Sequence, residues 1–157
     1  MSQKYGDVIH VHGISQNPDT KDYIMVLQDG FCSKCIEICT NIGSKWCKPC
    51  QIDNLKGNFT TSGNEKVDNF IQEMQLDINH PLDIIFEWIP YNQFSDIKEI
   101  GRNGFDTVYS AIWKDGPLYY NKYNEKYTRN SYHPNYKVAL KRLQNSQNIT
   151  NEFLNEV

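Results

Sequence analysis

All five cysteines of this 157-residue chain lie between positions 32 and 50. Four of them form two C-x2-C pairs, Cys32 with Cys35 and Cys47 with Cys50, and no other feature limits the fold as strongly. Two residues between paired thiols are the span of one tight turn. Each pair therefore aims its sulfurs at one point, where a tetrahedral ion sits about 2.3 Å from each sulfur. Eleven residues separate Cys35 from Cys47, slightly short of the usual ribbon window but enough to turn and come back. The spacing fits a zinc-ribbon-like module over residues 31–58, with Cys32, Cys35, Cys47 and Cys50 as metal ligands. Four protein ligands leave no open position for water, so zinc is expected as a structural ion, not a catalytic one. Two other readings stay open: reduced cysteines packed in a small core, and a redox-active pair at Cys47 and Cys50. Cys39 is left over and is expected to be a free thiol.

A cluster this local is not the disulfide framework of a secreted domain. The first 25 residues are polar, with His10 and His12 where a signal peptide would carry its hydrophobic stretch. No apolar run reaches the roughly 18 residues of a transmembrane helix, so the expected place is the cytosol, without membrane contact. The net charge is -3 and the 16 Lys and Arg residues are scattered, which disfavours nucleic acid as a partner. Hydrophobic residues at 39% can support a packed core, while a mean hydropathy of -0.65 describes a soluble protein. The length suits one ordinary domain or two smaller pieces with modest cores, and the second arrangement is expected.

The cysteine module is flanked by simpler signals. Val8-Ile9-His10-Val11 and Tyr23-Ile24-Met25-Val26-Leu27 bracket the turn-forming Gln16-Asn17-Pro18-Asp19-Thr20, which predicts a β-hairpin within residues 1–30. Val67, Phe70, Ile71 and Met74 recur at helical spacing behind Ser62 and Glu65, a pair with the form of a capping box. They predict an amphipathic helix over 62–79, ended by Asn79-His80-Pro81. A partner-docking role for its apolar stripe is left open beside plain packing. Residues 84–91 form an apolar and aromatic lead-in to the last segment, 84–157.

That segment runs Ile100-Gly101-Arg102-Asn103-Gly104-Phe105-Asp106-Thr107-Val108-Tyr109, returns as Lys137-Val138-Ala139-Leu140-Lys141, and continues to Asn151-Glu152-Phe153-Leu154-Asn155-Glu156. The order resembles the opening of a protein kinase catalytic domain, a glycine-rich hairpin followed by a V-A-x-K strand and a glutamate helix. The resemblance implies an α+β fold: a twisted antiparallel sheet with one flanking helix, an incomplete kinase N-lobe, preceded by the Cys-rich module and the amphipathic helix. It also implies a site for ATP and Mg. Ile100, Gly101 and Val108 would border the nucleotide and Ala139 would face the adenine. Lys141 would meet the phosphates and pair with Glu156 on a helix opened by Thr150. Val11 to Gln28 is similar to the fourth and fifth strands of a tyrosine-kinase-like domain, displaced to the front of the chain. The whole resembles a group of fungal kinase-like proteins. Trp46-Cys47-Lys48-Pro49-Cys50 separately resembles a thioredoxin-type motif, although no βαβ frame surrounds it.

Against the glycine-loop pattern, Asn103 and Asp106 stand where the second and third glycines fall. A carboxylate at Asp106 opposes a triphosphate, so ATP is expected to bind weakly or not at all. No H-R-D-x-x-x-x-N loop, D-F-G or A-P-E segment occurs. The expectation is therefore a truncated or pseudokinase form, inactive alone, in a family that phosphorylates proteins. The alternative is a zinc-stabilised protein-interaction module with a non-catalytic kinase-like scaffold. The insert from Asp115 to Tyr136, rich in Tyr and Asn, is expected to be a surface loop.

Overall fold

The computed structural model describes residues 8–104, 106–129, 135–142 and 154. Its first elements are two short strands, β1 (Val11–Gln16) and β2 (Tyr23–Leu27), paired antiparallel with Ile14 opposite Met25. Asn17 makes their turn, because its side-chain oxygen accepts the backbone N–H groups of Asp19 and Thr20 as a short polar side chain does in such turns. Val11, Ile14, Tyr23 and Met25 stand exposed on one face of this hairpin.

Two helices follow the cysteine segment: α1 (Lys48–Gly57) and α2 (Glu65–Leu76). The tight turn expected at the second cysteine pair is the start of helix α1: Cys47 is its N-cap, and Pro49 lies in the first turn, where its fixed φ and missing N–H are tolerated. Helix α2 is shorter than the 62–79 expected, and its cap lies two residues past Ser62. Asn64, not Ser62, is the cap, and its side chain accepts from the N–H groups of Lys66 and Val67. Ser62 is held elsewhere, its N–H donating to Asp68 at 2.7 Å. The buried stripe is rotated accordingly: Val67, Ile71 and Gln75 face inward, while Met74 is exposed. Gln75 tolerates this because its amide donates to the Phe86 carbonyl at 2.9 Å.

Beyond a 3-10 turn at Tyr91–Gln93 come β3 (Phe94–Asn103), β4 (Asp106–Trp113), β5 (Leu118–Asn121), β6 (Lys126–Arg129) and β7 (Tyr136–Arg142). Strands β3, β4 and β7 form one antiparallel sheet in that order, while β5 and β6 pair only with each other. The β3–β4 turn places Gly104 at φ 57°, a left-handed conformation that costs glycine nothing. The fold is thus α+β, with antiparallel sheets and two helices among the described residues. Of these, no helix is long and apolar enough to cross a membrane. The flanking helix expected from Thr150 to Glu156 lies outside the described residues, apart from Leu154.

The insert between β4 and β7 does not behave as a surface loop. Its β5–β6 hairpin turns Tyr127 into the main core, packed with Trp46, Leu55, Ile78 and Ile85. Trp46 is wholly buried, and a buried indole N–H needs an acceptor. The Tyr127 hydroxyl supplies it at 3.1 Å. Tyrosine in a polar stretch read as exposed; here the ring fills the core and its hydroxyl completes a buried hydrogen bond.

Candidate metal centre

The first cysteine pair is shaped by backbone. Cys32 N–H donates to the Glu37 carbonyl and Ile36 N–H to the Cys32 carbonyl, closing a tight loop in which Ile36 takes φ 64°. An antiparallel bridge between Phe31 and Ile38 seals its base. A second turn, bridged at Asn41 and Trp46, delivers the chain to Cys47. Gly30 lies against this turn so closely that a Cβ there would stand 2.9 Å from Ile42. Helix α1 then sets Cys47 and Cys50 on its cap and first turn, where the unpaired N–H groups and helix dipole favour thiolate.

The four sulfurs of Cys32, Cys35, Cys47 and Cys50 all lie within 4.8 Å of one another. The Cys32–Cys50 and Cys35–Cys47 separations are each 3.7 Å. A tetrahedron with 2.3 Å metal–sulfur bonds has edges of about 3.8 Å, whereas a disulfide would need about 2.05 Å. All five cysteines are free thiols, so the spacing matches coordination and not cross-linking. The donor set of four sulfurs suits zinc in particular. These four residues could hold such an ion with all four positions filled by protein. Cys39 is buried beside them but is not one of the four. Burial pushes its thiol up to about 11, in keeping with an inert neutral thiol.

The thiols of Cys32, Cys47 and Cys50 do not hold their protons equally. Burial acts to raise Cys32, but N–H groups of Cys35 and Lys34 and neighbouring thiols outweigh it and bring it to about 7. Burial raises Cys47 and, more strongly, Cys50. One thiolate is therefore easily formed and the next ones are costly until a cation neutralises them.

Around the tetrad, the β5–β6 turn acts as a clamp. The buried Gln51 amide donates to the Glu125 carbonyl at 2.8 Å, and Ser33 donates to the Glu125 carboxylate at 2.5 Å. Tyr120 donates to the Lys45 carbonyl at 2.8 Å. Both cysteine loops are thus tied to a hairpin that lies 74 to 92 residues further along. Cys spacing announced the ligands, but only the bulk of Trp46 hinted at this second layer, and Gln51, Tyr120 and Glu125 gave no signal.

The residues expected around a nucleotide fall on the three-stranded sheet. Gly101 pairs with Val108, and Val108 with Lys141, so these three form one row across β3, β4 and β7. Ala139 pairs with Ser110 on the same face. Ile100 is exposed and sits at a β-bulge between Glu99 and Gly101. Glu156 lies outside the described residues. The Lys141 ammonium meets the Asp106 carboxylate at 2.9 Å, both partly exposed. Tyr91, Phe94, Ile97, Tyr109, Leu140 and Arg142, with Ala139 and Lys141 on the edge strand β7, line an open groove of about 640 Å³.

No family model, curated protein or solved structure matches the chain.

Proposed function

We propose that the chain is a protein-kinase-like nucleotide lobe carried on a structural zinc-thiolate module. The observation that supports the sheet half of this reading is the row Gly101–Val108–Lys141. Three residues nominated by a linear motif, the first and last 40 residues apart, come side by side on neighbouring strands. In this reading Val108 and Ala139 offer the apolar floor for a base, and the Lys141 ammonium is the phosphate contact. Zinc would be held by Cys32, Cys35, Cys47 and Cys50, and its role is to fix the two cysteine loops. Because no H-R-D or D-F-G motif occurs in these 157 residues, phosphoryl transfer is assigned to no residue of the chain.

The contact between Lys141 and Asp106 favours a second reading, in which the lobe is a non-catalytic scaffold of a zinc-stabilised interaction module. Asp106 places a carboxylate where the phosphates would meet the lysine, and the two cannot share that ammonium without repulsion. A thermal-shift titration with millimolar Mg-ATP separates the readings, since a ligand of the folded state raises the melting temperature. The nucleotide reading predicts a small rise for the native chain, a larger one for Asp106→Gly and none for Lys141→Ala. No rise in either the native chain or Asp106→Gly rejects nucleotide binding and leaves the scaffold.

A further inference from the structure

Two exposed apolar surfaces of the molecule match each other. One is the face of the β1–β2 hairpin that carries Val11, Ile14, Tyr23 and Met25, with Ile14 at 76%, Tyr23 at 79% and Met25 at 61% exposure. An isolated two-stranded hairpin is marginal in water, and a contiguous exposed apolar face of this kind marks a contact surface. The other is the groove on the three-stranded sheet lined by Tyr91, Phe94, Ile97, Tyr109 and Leu140. We propose that the hairpin of one copy lies in this groove of a second copy and the second copy's hairpin in the first, making a two-fold dimer.

Length, charge and area support this occupant. The groove runs from Phe94, opposite Trp113, to Arg142, opposite Thr107. Six residue steps along β4 are about 20 Å, close to the roughly 17 Å of a five-residue strand such as β2. Arg142 stands at one end of the groove, beside the Lys141–Asp106 ion pair, and among the described residues none that lines it is acidic. The hairpin turn carries Asp19 and Asp22 around a single Lys21, so its acidic tip suits the Arg142 end and sets the direction of insertion. A face of this kind offers on the order of 300–400 Å². Buried once against the groove it falls short of a stable interface, but two reciprocal copies bury about 1,200–1,600 Å², which is sufficient. Reciprocity also closes the assembly, where one-way insertion would give open chains.

Sedimentation velocity of the full metal-loaded chain, without nucleotide, over a micromolar concentration series tests this. The native chain is expected to be a dimer. Met25→Glu, Asp22→Arg and Arg142→Glu should each weaken it by about tenfold or more, a loss of about 1.4 kcal/mol. An equimolar mixture of Asp22→Arg and Arg142→Glu chains should regain affinity, because at one of the two reciprocal contacts the introduced cation then faces the introduced carboxylate across the interface; that recovery also shows both variants folded. A monomer at every concentration overturns the proposal. So does a dimer that Met25→Glu dissociates while Arg142→Glu leaves it intact, which would mean hairpin packing on hairpin.

Discussion

The cysteine-rich half of the molecule and the three-stranded sheet are built by opposite means. Around the cysteines, Trp46, Cys32, Cys39, Cys47, Leu55, Ile78, Ile85 and Tyr127 are buried, in contact with two helices and a distant hairpin. In the sheet of β3, β4 and β7, only Ala111 and Trp113 are buried among the described residues. Backbone ladders hold that sheet together, whereas side chains from far along the sequence hold the cysteine half. The two are joined where Arg129 lies over the Trp113 ring, 5.6 Å from its centroid, and pairs with Glu87 at 2.6 Å. A small sheet with one thin apolar layer gains its order from such a neighbour. The dependence therefore runs from the cysteine cluster outward.

The largest expected effect comes from removing the ion. Chelation, or Cys47→Ser, should abolish the near-ultraviolet circular dichroism of Trp46 and lower the melting temperature by tens of degrees, because binding to four thiolates is coupled to folding. If only the sheet were lost and the Trp46 signal stayed, the proposed direction of dependence would be reversed. Smaller and more local is truncation of single side chains. Trp46→Ala should cost about 3–5 kcal/mol, as for a large buried aromatic. Ile112→Ala, at a half-buried position in β4, should cost less than about 2 kcal/mol. Equal losses in urea unfolding would erase the contrast between the halves.

The smallest effect is alkaline. Burial raises the Tyr127 phenol above its ordinary value, with the Trp46 N–H acting the other way, and burial also raises Tyr120. A raised folded-state pKa means that the folded protein keeps the proton after the unfolded chain has lost it. Stability from these groups is full below about pH 10, the unfolded value, and falls as pH rises beyond it. Tyr127→Phe should flatten that fall in a melting-temperature profile between about pH 9 and 11. An unchanged slope would place the tyrosine outside the cohesive core.

Sequence spoke most clearly where chemistry demands fixed spacing. The C-x2-C pairs named the four clustered sulfurs, the apolar runs on either side of the Asn17 turn named the β1–β2 hairpin, and the kinase-like motif named strands of the sheet. Helix α1 was silent because Lys48–Gly57 has no apolar period: Gln51 is one of its two buried residues and Leu55 the other. The start and stripe of α2 shifted because Asp68 captured Ser62 and freed Asn64 to cap, a competition among polar side chains that periodicity does not weigh. Tyr127 was hidden by composition. Its burial follows from the need of Trp46 for an acceptor, and that need names no particular partner in a chain with ten tyrosines. The kinase-like motif located a row of residues on the sheet, but nucleotide binding there remains the proposal tested above.

The order of the cysteine half turns on whether Cys32, Cys35, Cys47 and Cys50, whose sulfurs lie within 4.8 Å of one another, hold a single ion. X-ray absorption at the zinc edge, on protein purified without added metal and assayed for metal content, reads that ion without an intermediary. One zinc per chain in a shell of four sulfurs at about 2.3 Å is expected. Metal-free folded protein, or a shell with nitrogen or oxygen in place of any of the four sulfurs, would contradict it.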